Sequence, residues 1–175
     1  MELTKVPLTD FFTIYPAKQN DRITFTEADI NDVDAISFLS RSSKMNGING
    51  FVLGNEELLN DGKIISIALD GSTGATFYQY HPFFSGQNIW LLKENSEKIE
   101  VIDPKIALYL VTSIRKAVAA YTYNLSLTKK RLEKINLLLP IKEDGKLNTD
   151  YIYSEMNQIK HIELLDEILD ERYQV

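Results

Sequence analysis

KIISIALDGSTGATFYQY, residues 63–80, decides the fold. Lys63 to Leu69 is rich in β-branched side chains and predicts a strand. Asp70-Gly-Ser-Thr-Gly74 is a turn. Ala75 to Tyr80 is the returning strand, so the stretch predicts a β-hairpin with a glycine-containing loop. Upstream, Ala35 to Ser40 alternates in part and predicts another strand. A polar turn follows from Arg41 to Gly50, with two glycines and two asparagines. Phe51-Val-Leu53 starts a short strand that Gly54 closes. The first 30 residues read as irregular, because Pro7, Pro16 and the polar run Lys18–Arg22 break any period.

Downstream, His81-Pro82 ends the hairpin, and strands are expected over Gly86–Leu92 and Ile99–Ile102. Asp103-Pro104 is a helix start, a capping carboxylate followed by proline at the first helical position. Ile106, Leu108, Leu110, Val111, Ile114 and Val118 then make the helix apolar on most sides, as a buried central helix would be. Tyr121 to Leu127 reads as irregular. Ile135 to Leu139 is a strand stopped by Pro140, and Asp144-Gly145 is a turn. The last 25 residues read as one helix, with Ile152, Met156, Ile159, Ile162, Leu165 and Leu169 at three- and four-residue steps and acids on the other face.

The 175 residues fit one domain or a domain with an appendage, and 44% apolar residues can fill its core. The absence of cysteine excludes disulfides and cysteine-ligated zinc and predicts a reduced, intracellular setting. Met1 to Pro7 has no apolar signal core. The longest apolar run, Ile106–Ile114, is too short for a bilayer, so a soluble cytoplasmic protein is expected. The net charge of −6 is unevenly spread. Residues 151–175 carry two basic and six acidic groups, whereas residues 104–135 carry seven basic groups and one acid. A local basic face can hold phosphate on an acidic chain.

Enzymatic signatures are weak. The two histidines, His81 and His161, have no metal-ligand spacing. Gly71-Ser72-Thr73-Gly74 lacks the spacing of a nucleophile elbow and the lysine of a phosphate loop, and a strand follows it. Only Asp70 with Glu56 stands as a nuclease-like pair. Readers of base edges instead need Arg, Lys, Asn, Gln, Ser and Thr on loops kept clear of acids. Three segments have that composition. Residues 35–55 hold Arg41, Ser42, Ser43, Lys44, Asn46 and Asn49. Residues 71–93 hold Ser72, Thr73, Gln79, Gln87 and Asn88. Residues 121–131 hold Tyr121, Tyr123, Asn124, Thr128, Lys129, Lys130 and Arg131. None of the three contains Asp or Glu. Together they predict a polyanion-binding face, with Lys129, Lys130 and Arg131 as phosphate contacts. A non-catalytic protein-interaction or assembly module is the alternative, supported by the acidic C-terminal helix.

Phe38 to Gly50 resembles a motif near the start of target recognition domains in type IIB, BcgI-like restriction–modification proteins. Ile65 to Gln79 resembles their second motif, and Lys134 to Gly145 their closing segment. The likeness runs over about residues 8–160, and type I specificity subunits share it more distantly. Its motif positions are Ser40, Arg41, Ser42, Lys44, Gly50, Gly71, Ser72 and Gly74. The resemblance implies an α/β domain of the α+β type, with a curved, mostly antiparallel sheet, joined here to one buried central helix and a C-terminal amphipathic helix. Residues 1–148 would be the DNA-reading domain and 149–175 a helix for packing, spacing or dimerisation. The resemblance further implies sequence-specific recognition of double-stranded DNA without catalytic residues, cofactor or metal. Adenine methylation and cutting would fall to a partner methyltransferase/nuclease subunit. A homodimer or a second recognition domain is expected to meet the C-terminal helix.

Overall fold

The computed structural model describes residues 2–121 and 125–171. In chain order the elements are β1 (Thr4–Pro7), α1 (Leu8–Phe11), β2 (Phe12–Pro16), β3 (Thr26–Ala28), β4 (Ile36–Leu39), β5 (Ile48–Leu53), β6 (Ile64–Ala68) and β7 (Thr76–Gln79). They continue with β8 (Phe84–Ser85), β9 (Ile89–Glu94), α2 (Pro104–Val118), α3 (Lys129–Leu132), β10 (Asn136–Leu139), α4 (Thr149–Met156) and α5 (Leu165–Glu171).

The hairpin of residues 63–80 forms as expected: β6 and β7 pair antiparallel from Ile64 opposite Gln79 to Ile67 opposite Thr76. It sits inside an antiparallel sheet of order β2-β9-β6-β7. All five residues of β6 are buried. Ile65 and Ile67 join the core that holds Leu110 and Ile114 of α2, while Ile64 and Ala68 join a second cluster with Leu39, Phe83 and Leu91. A strand covered on both faces has no solvent side to mark with polar residues, which explains an apolar run broken only by the buried, hydrogen-bonded Ser66.

A second sheet, β3-β5-β4-β8, is antiparallel except where β8 runs parallel to β4. Phe25, Phe38, Val52 and Phe84 form its cluster. β1 pairs with β10 in a two-stranded ribbon. The class is therefore mixed α+β with mostly antiparallel strands, as expected, but the strands divide among three sheets.

Four local expectations need correction. The first 30 residues are not irregular: they form β1, α1, β2 and β3. Pro7 and Pro16 are the last residues of β1 and β2, and β2 is an edge strand, where a missing N–H costs no ladder bond. Ile99–Ile102 is not a strand; Ile99 and Ile102 are buried in coil. Helix α2 is amphipathic, apolar on one face rather than on most sides. It buries Ile106, Ala107, Leu110, Val111, Ile114 and Val118 on the sheet and leaves Leu108, Thr112, Arg115 and Lys116 outward. The C-terminal helix is broken: α4 ends at Met156, His161 adopts a left-handed φ of 65°, and α5 follows. Ile152 and Met156 are buried with α2, while Ile159 is 51% exposed.

Helix α2 starts where the sequence placed it. The Asp103 carboxylate accepts from the Ile106 N–H at 2.9 Å, and its other oxygen accepts from the Tyr153 hydroxyl of α4. One residue thus caps α2 and holds α4 against it. The far end of α2 meets the tip of the β6–β7 hairpin, and that contact shapes the candidate interface.

Candidate nucleic-acid interface

The hairpin tip is folded by two glycines in left-handed backbone. Gly71 has φ 65° and Gly74 has φ 79°. A side chain at Gly71 would come within 2.9 Å of Arg41 Cβ, and one at Gly74 within 2.9 Å of Val118 Cγ2. The tip is thereby wedged between the Arg41 loop on one side and the end of α2 on the other. Two backbone bonds fix it: Ser72 N donates to Arg41 O at 3.1 Å and Gly74 N to Ala68 O at 2.8 Å. Positive φ and close approach are both tolerated only by glycine.

Two open clefts flank this tip. The first, about 630 Å³, is lined by Ser40, Arg41, Ser42, Asp70, Thr73 and Ser126. Among the described residues, Asp70 is its only carboxylate. One Asp70 oxygen accepts from Arg41 Nη1 at 2.8 Å and from Asn88 Nδ2 at 2.8 Å. The other is buried and has no partner among the described residues. Asp70 therefore acts as a buttress. It offsets its own charge with Arg41 and aims the guanidinium, whose planar fork suits bidentate contacts. The second cleft, about 590 Å³, is lined by Ser43, Ser72, Thr73, Phe77, Arg115 and Tyr121 among others, none of them acidic. Arg115 lies 4.7 Å over the Phe77 ring and donates through Nε to Thr76 O at 2.8 Å. Partial burial draws its pKa down, yet a guanidinium stays charged.

The three acid-free segments thus meet here through Arg41, Ser42 and Ser43, through Ser72 and Thr73, and through Tyr121 and Ser126. On α3, Arg131 bonds to this rim, while Lys129 and Lys130 are exposed and outside both cleft linings. The Thr128 hydroxyl caps that helix, accepting from Arg131 N at 3.3 Å. Arg131 Nη1 donates to Ser126 O at 2.5 Å and so ties α3 to the cleft wall. Lys129 pairs with Glu133 at 2.5 Å; Lys130 is exposed and has no recorded partner. Lys44 is exposed on the Arg41 loop, and Asn49 is exposed at the start of β5, outside both cleft linings. Tyr123 and Asn124 lie outside the described residues.

Three expected readers are placed otherwise. Gln79 is only 4% exposed. Its Nε2 donates to Ser66 Oγ at 2.9 Å and to Asn46 O at 3.1 Å. Asn46 Nδ2 in turn donates to Tyr78 O at 3.0 Å and Gln79 Oε1 at 3.3 Å. The two amides lock each other and hold Met45 and Asn46 at positive φ, 51° and 55°. These bonds brace the loop and take up the buried Gln79 amide, while Asn46 itself stays exposed. Gln87 is exposed, but its Nε2 donates to the Asp21 carboxylate at 3.2 Å. Strand alternation could not have warned of Gln79, since it puts Tyr78 and Gln79 on opposite faces and both are buried. Arg115 was not among the expected readers: the sequence placed it in the basic stretch 104–135, on a helix expected to be apolar on most sides, and only the fold sets it in the cleft wall.

The other chemistry-bearing residues have structural surroundings. His81 Nε2 lies 3.0 Å from Leu169 O, linking the end of β7 to α5. Asp70 is committed to Arg41 and Asn88, and no group of three or more metal-ligating side chains occurs among the described residues.

A mixed α+β domain that presents arginine forks and hydroxyls on a glycine-shaped rim is a recognition module. The chain belongs to the family of type I restriction modification DNA specificity domains, whose family model matches residues 2–170. It is 27% identical over 128 residues to the type II restriction enzyme BgcI specificity subunit S.BcgI of Heyndrickxia coagulans, covering 70% of this chain and 34% of that protein. Two solved structures share the fold. One is the S subunit of a type I restriction–modification system from M. genitalium, with TM-score 0.58, 17% identity, and coverage of 98% of this chain and 41% of that one. The other is the HsdS subunit from Thermoanaerobacter tengcongensis, with TM-score 0.56, 14% identity, and coverage of 99% and 40%. The chain spans about a third of the length of the curated relative and about two fifths of these structures. No helix among the described residues is long and apolar enough to cross a membrane.

Proposed function

We propose that this chain reads a specific sequence in double-stranded DNA for a restriction–modification system, and that a partner methyltransferase/nuclease subunit carries the chemistry. The supporting observation is the meeting of three polar, acid-poor segments around the glycine-wedged hairpin tip, with Asp70 neutralised by Arg41 and Asn88. Arg41, aimed by its carboxylate, is the candidate for bidentate contact with guanine, worth about 1–3 kcal/mol of discrimination. The Ser42 hydroxyl can donate or accept at a neighbouring edge. Lys44, Lys130 and Arg131 supply phosphate contacts that position the duplex without reading it. No cofactor or metal is needed for that task.

The partner-facing surface is a different one. A groove of about 740 Å³ between α2, β10 and α4 is lined by Leu3, Leu108, Leu138, Met156 and Ile159 among others. Its apolar character supports contact with the rest of a longer protein or with the catalytic subunit. The C-terminal segment from residue 149 is assigned to packing, spacing or dimerisation, with Ile152 and Met156 given to this domain and Ile159 left outward.

The test is selection from a randomised duplex pool by the full-length protein. A defined sequence should emerge. Arg41→Ala should select a pool degenerate at one or two positions of that sequence while its far-ultraviolet circular dichroism stays unchanged. A folded protein that enriches no sequence would overturn the proposal.

A further inference from the structure

The cleft on the α2 side of the hairpin tip holds features that base reading does not use. Arg115 is anchored twice, by its Nε bond to Thr76 O and by the Phe77 ring beneath its plane. These contacts occupy Nε and one face of the guanidinium. The two terminal amino groups have no recorded protein partner. The Ser43, Ser72, Thr73 and Tyr121 hydroxyls line the same cleft and make no recorded side-chain bond either. No carboxylate lines it. A fixed cationic fork in one cleft with four hydroxyl-bearing residues, and no acidic residue among those lining it, suits a small anion with several acceptor oxygens.

We infer that Arg115, with the hydroxyls of Ser43, Ser72, Thr73 and Tyr121, forms a preorganised clamp for one backbone phosphate of the bound duplex, immediately beside the bases read from the Arg41 loop. The inference rests on the DNA-binding reading and extends it to one named contact. The cleft shares Gly71 and Thr73 with the neighbouring Arg41 cleft, so a strand crossing the tip passes from one to the other. Because the guanidinium is already held, little side-chain freedom is lost on binding. The clamp sets register on the duplex but carries no sequence information of its own.

The experiment measures duplex affinity against salt for the full-length wild type, Arg115→Gln and Arg115→Lys, on the selected sequence and on an unrelated one. It is paired with single methylphosphonate substitutions along the selected duplex. Arg115→Gln should weaken both duplexes by the same factor, reduce the salt slope by about 0.9, and leave the selected sequence unchanged. Arg115→Lys should restore the slope and only part of the affinity. One neutralised phosphate that weakens the wild type should have no further effect on Arg115→Gln, which separates a duplex phosphate from a free phosphate ion. If the wild type binds DNA but Arg115→Gln matches it in slope, or loses affinity only along with thermal stability, the clamp is wrong while the proposed function stands. If the wild type binds no duplex, the proposed function itself falls.

Discussion

Arg41 and Gln79 are both polar residues in acid-free stretches, and both have the donors that base edges require. Their surroundings part them. Arg41 sits on a loop with its side chain about half exposed and one carboxylate behind it. Gln79 sits in β7 between packed layers, where every amide bond it makes is internal. A buried amide without partners costs about 1–3 kcal/mol, so Gln79 is spent on satisfying Ser66 and the Asn46 carbonyl. Replacing it strands those groups. Gln79→Ala should lower unfolding stability by about 1–3 kcal/mol in urea titration, and the selected sequence should not change. A shift in preferred sequence without loss of stability would return Gln79 to the reading set. At the motif positions Gly71 and Gly74 the requirement is steric, which the sequence shows only as glycine.

At the scale of elements, the β6–β7 hairpin and α2 form one unit. Tyr78 of β7 is buried and donates its hydroxyl to Ile102 O at 3.3 Å, just before α2 begins. Burial, with smaller contributions from Tyr80, Asp103 and Glu94, raises its pKa from 10.0 to about 12. The folded state therefore holds the Tyr78 proton more tightly than the unfolded chain does. That preference contributes fully below pH 10 and disappears as pH rises towards 12. Stability should fall over this alkaline window, and Tyr78→Phe should flatten the fall, as chemical denaturation at successive pH values would reveal. An unchanged pH profile in Tyr78→Phe would disprove it. The Asp103 cap was legible because the Asp-Pro pair has a local cause. The break between α4 and α5 was not: the apolar period continues past Met156, and only the left-handed turn at His161 ends it.

For the whole molecule, charge is segregated. The chain carries −6 in total, but among the described residues the two clefts at the hairpin tip include one carboxylate between them, and that one is paired. Long-range repulsion is screened beyond about 8 Å at physiological salt, so the local face decides. The α3 cluster does not count as three full charges, because Glu133 offsets Lys129. Changing Lys129, Lys130 and Arg131 together to alanine should weaken binding to every duplex and lower the salt slope by about 2 rather than 3. Equal slopes in mutant and wild type would remove α3 from the interface.

The class of fold followed from the resemblance carried by Phe38–Gly50 and Ile65–Gln79, while composition, turn chemistry and apolar periodicity determined the hairpin, the start of α2 and the polar, acid-free make-up of the three segments. These are local properties, set by each residue and its sequence neighbours. Tertiary structure alone decided that the segments meet at one tip, that Asp70 lies behind Arg41, that Gln79 turns inward, and that Arg115 turns out over Phe77. Each of those depends on which face of an element is covered by residues far away in the chain. A one-dimensional pattern marks a residue as polar; only packing determines whether that polarity is spent inside the protein or left for DNA.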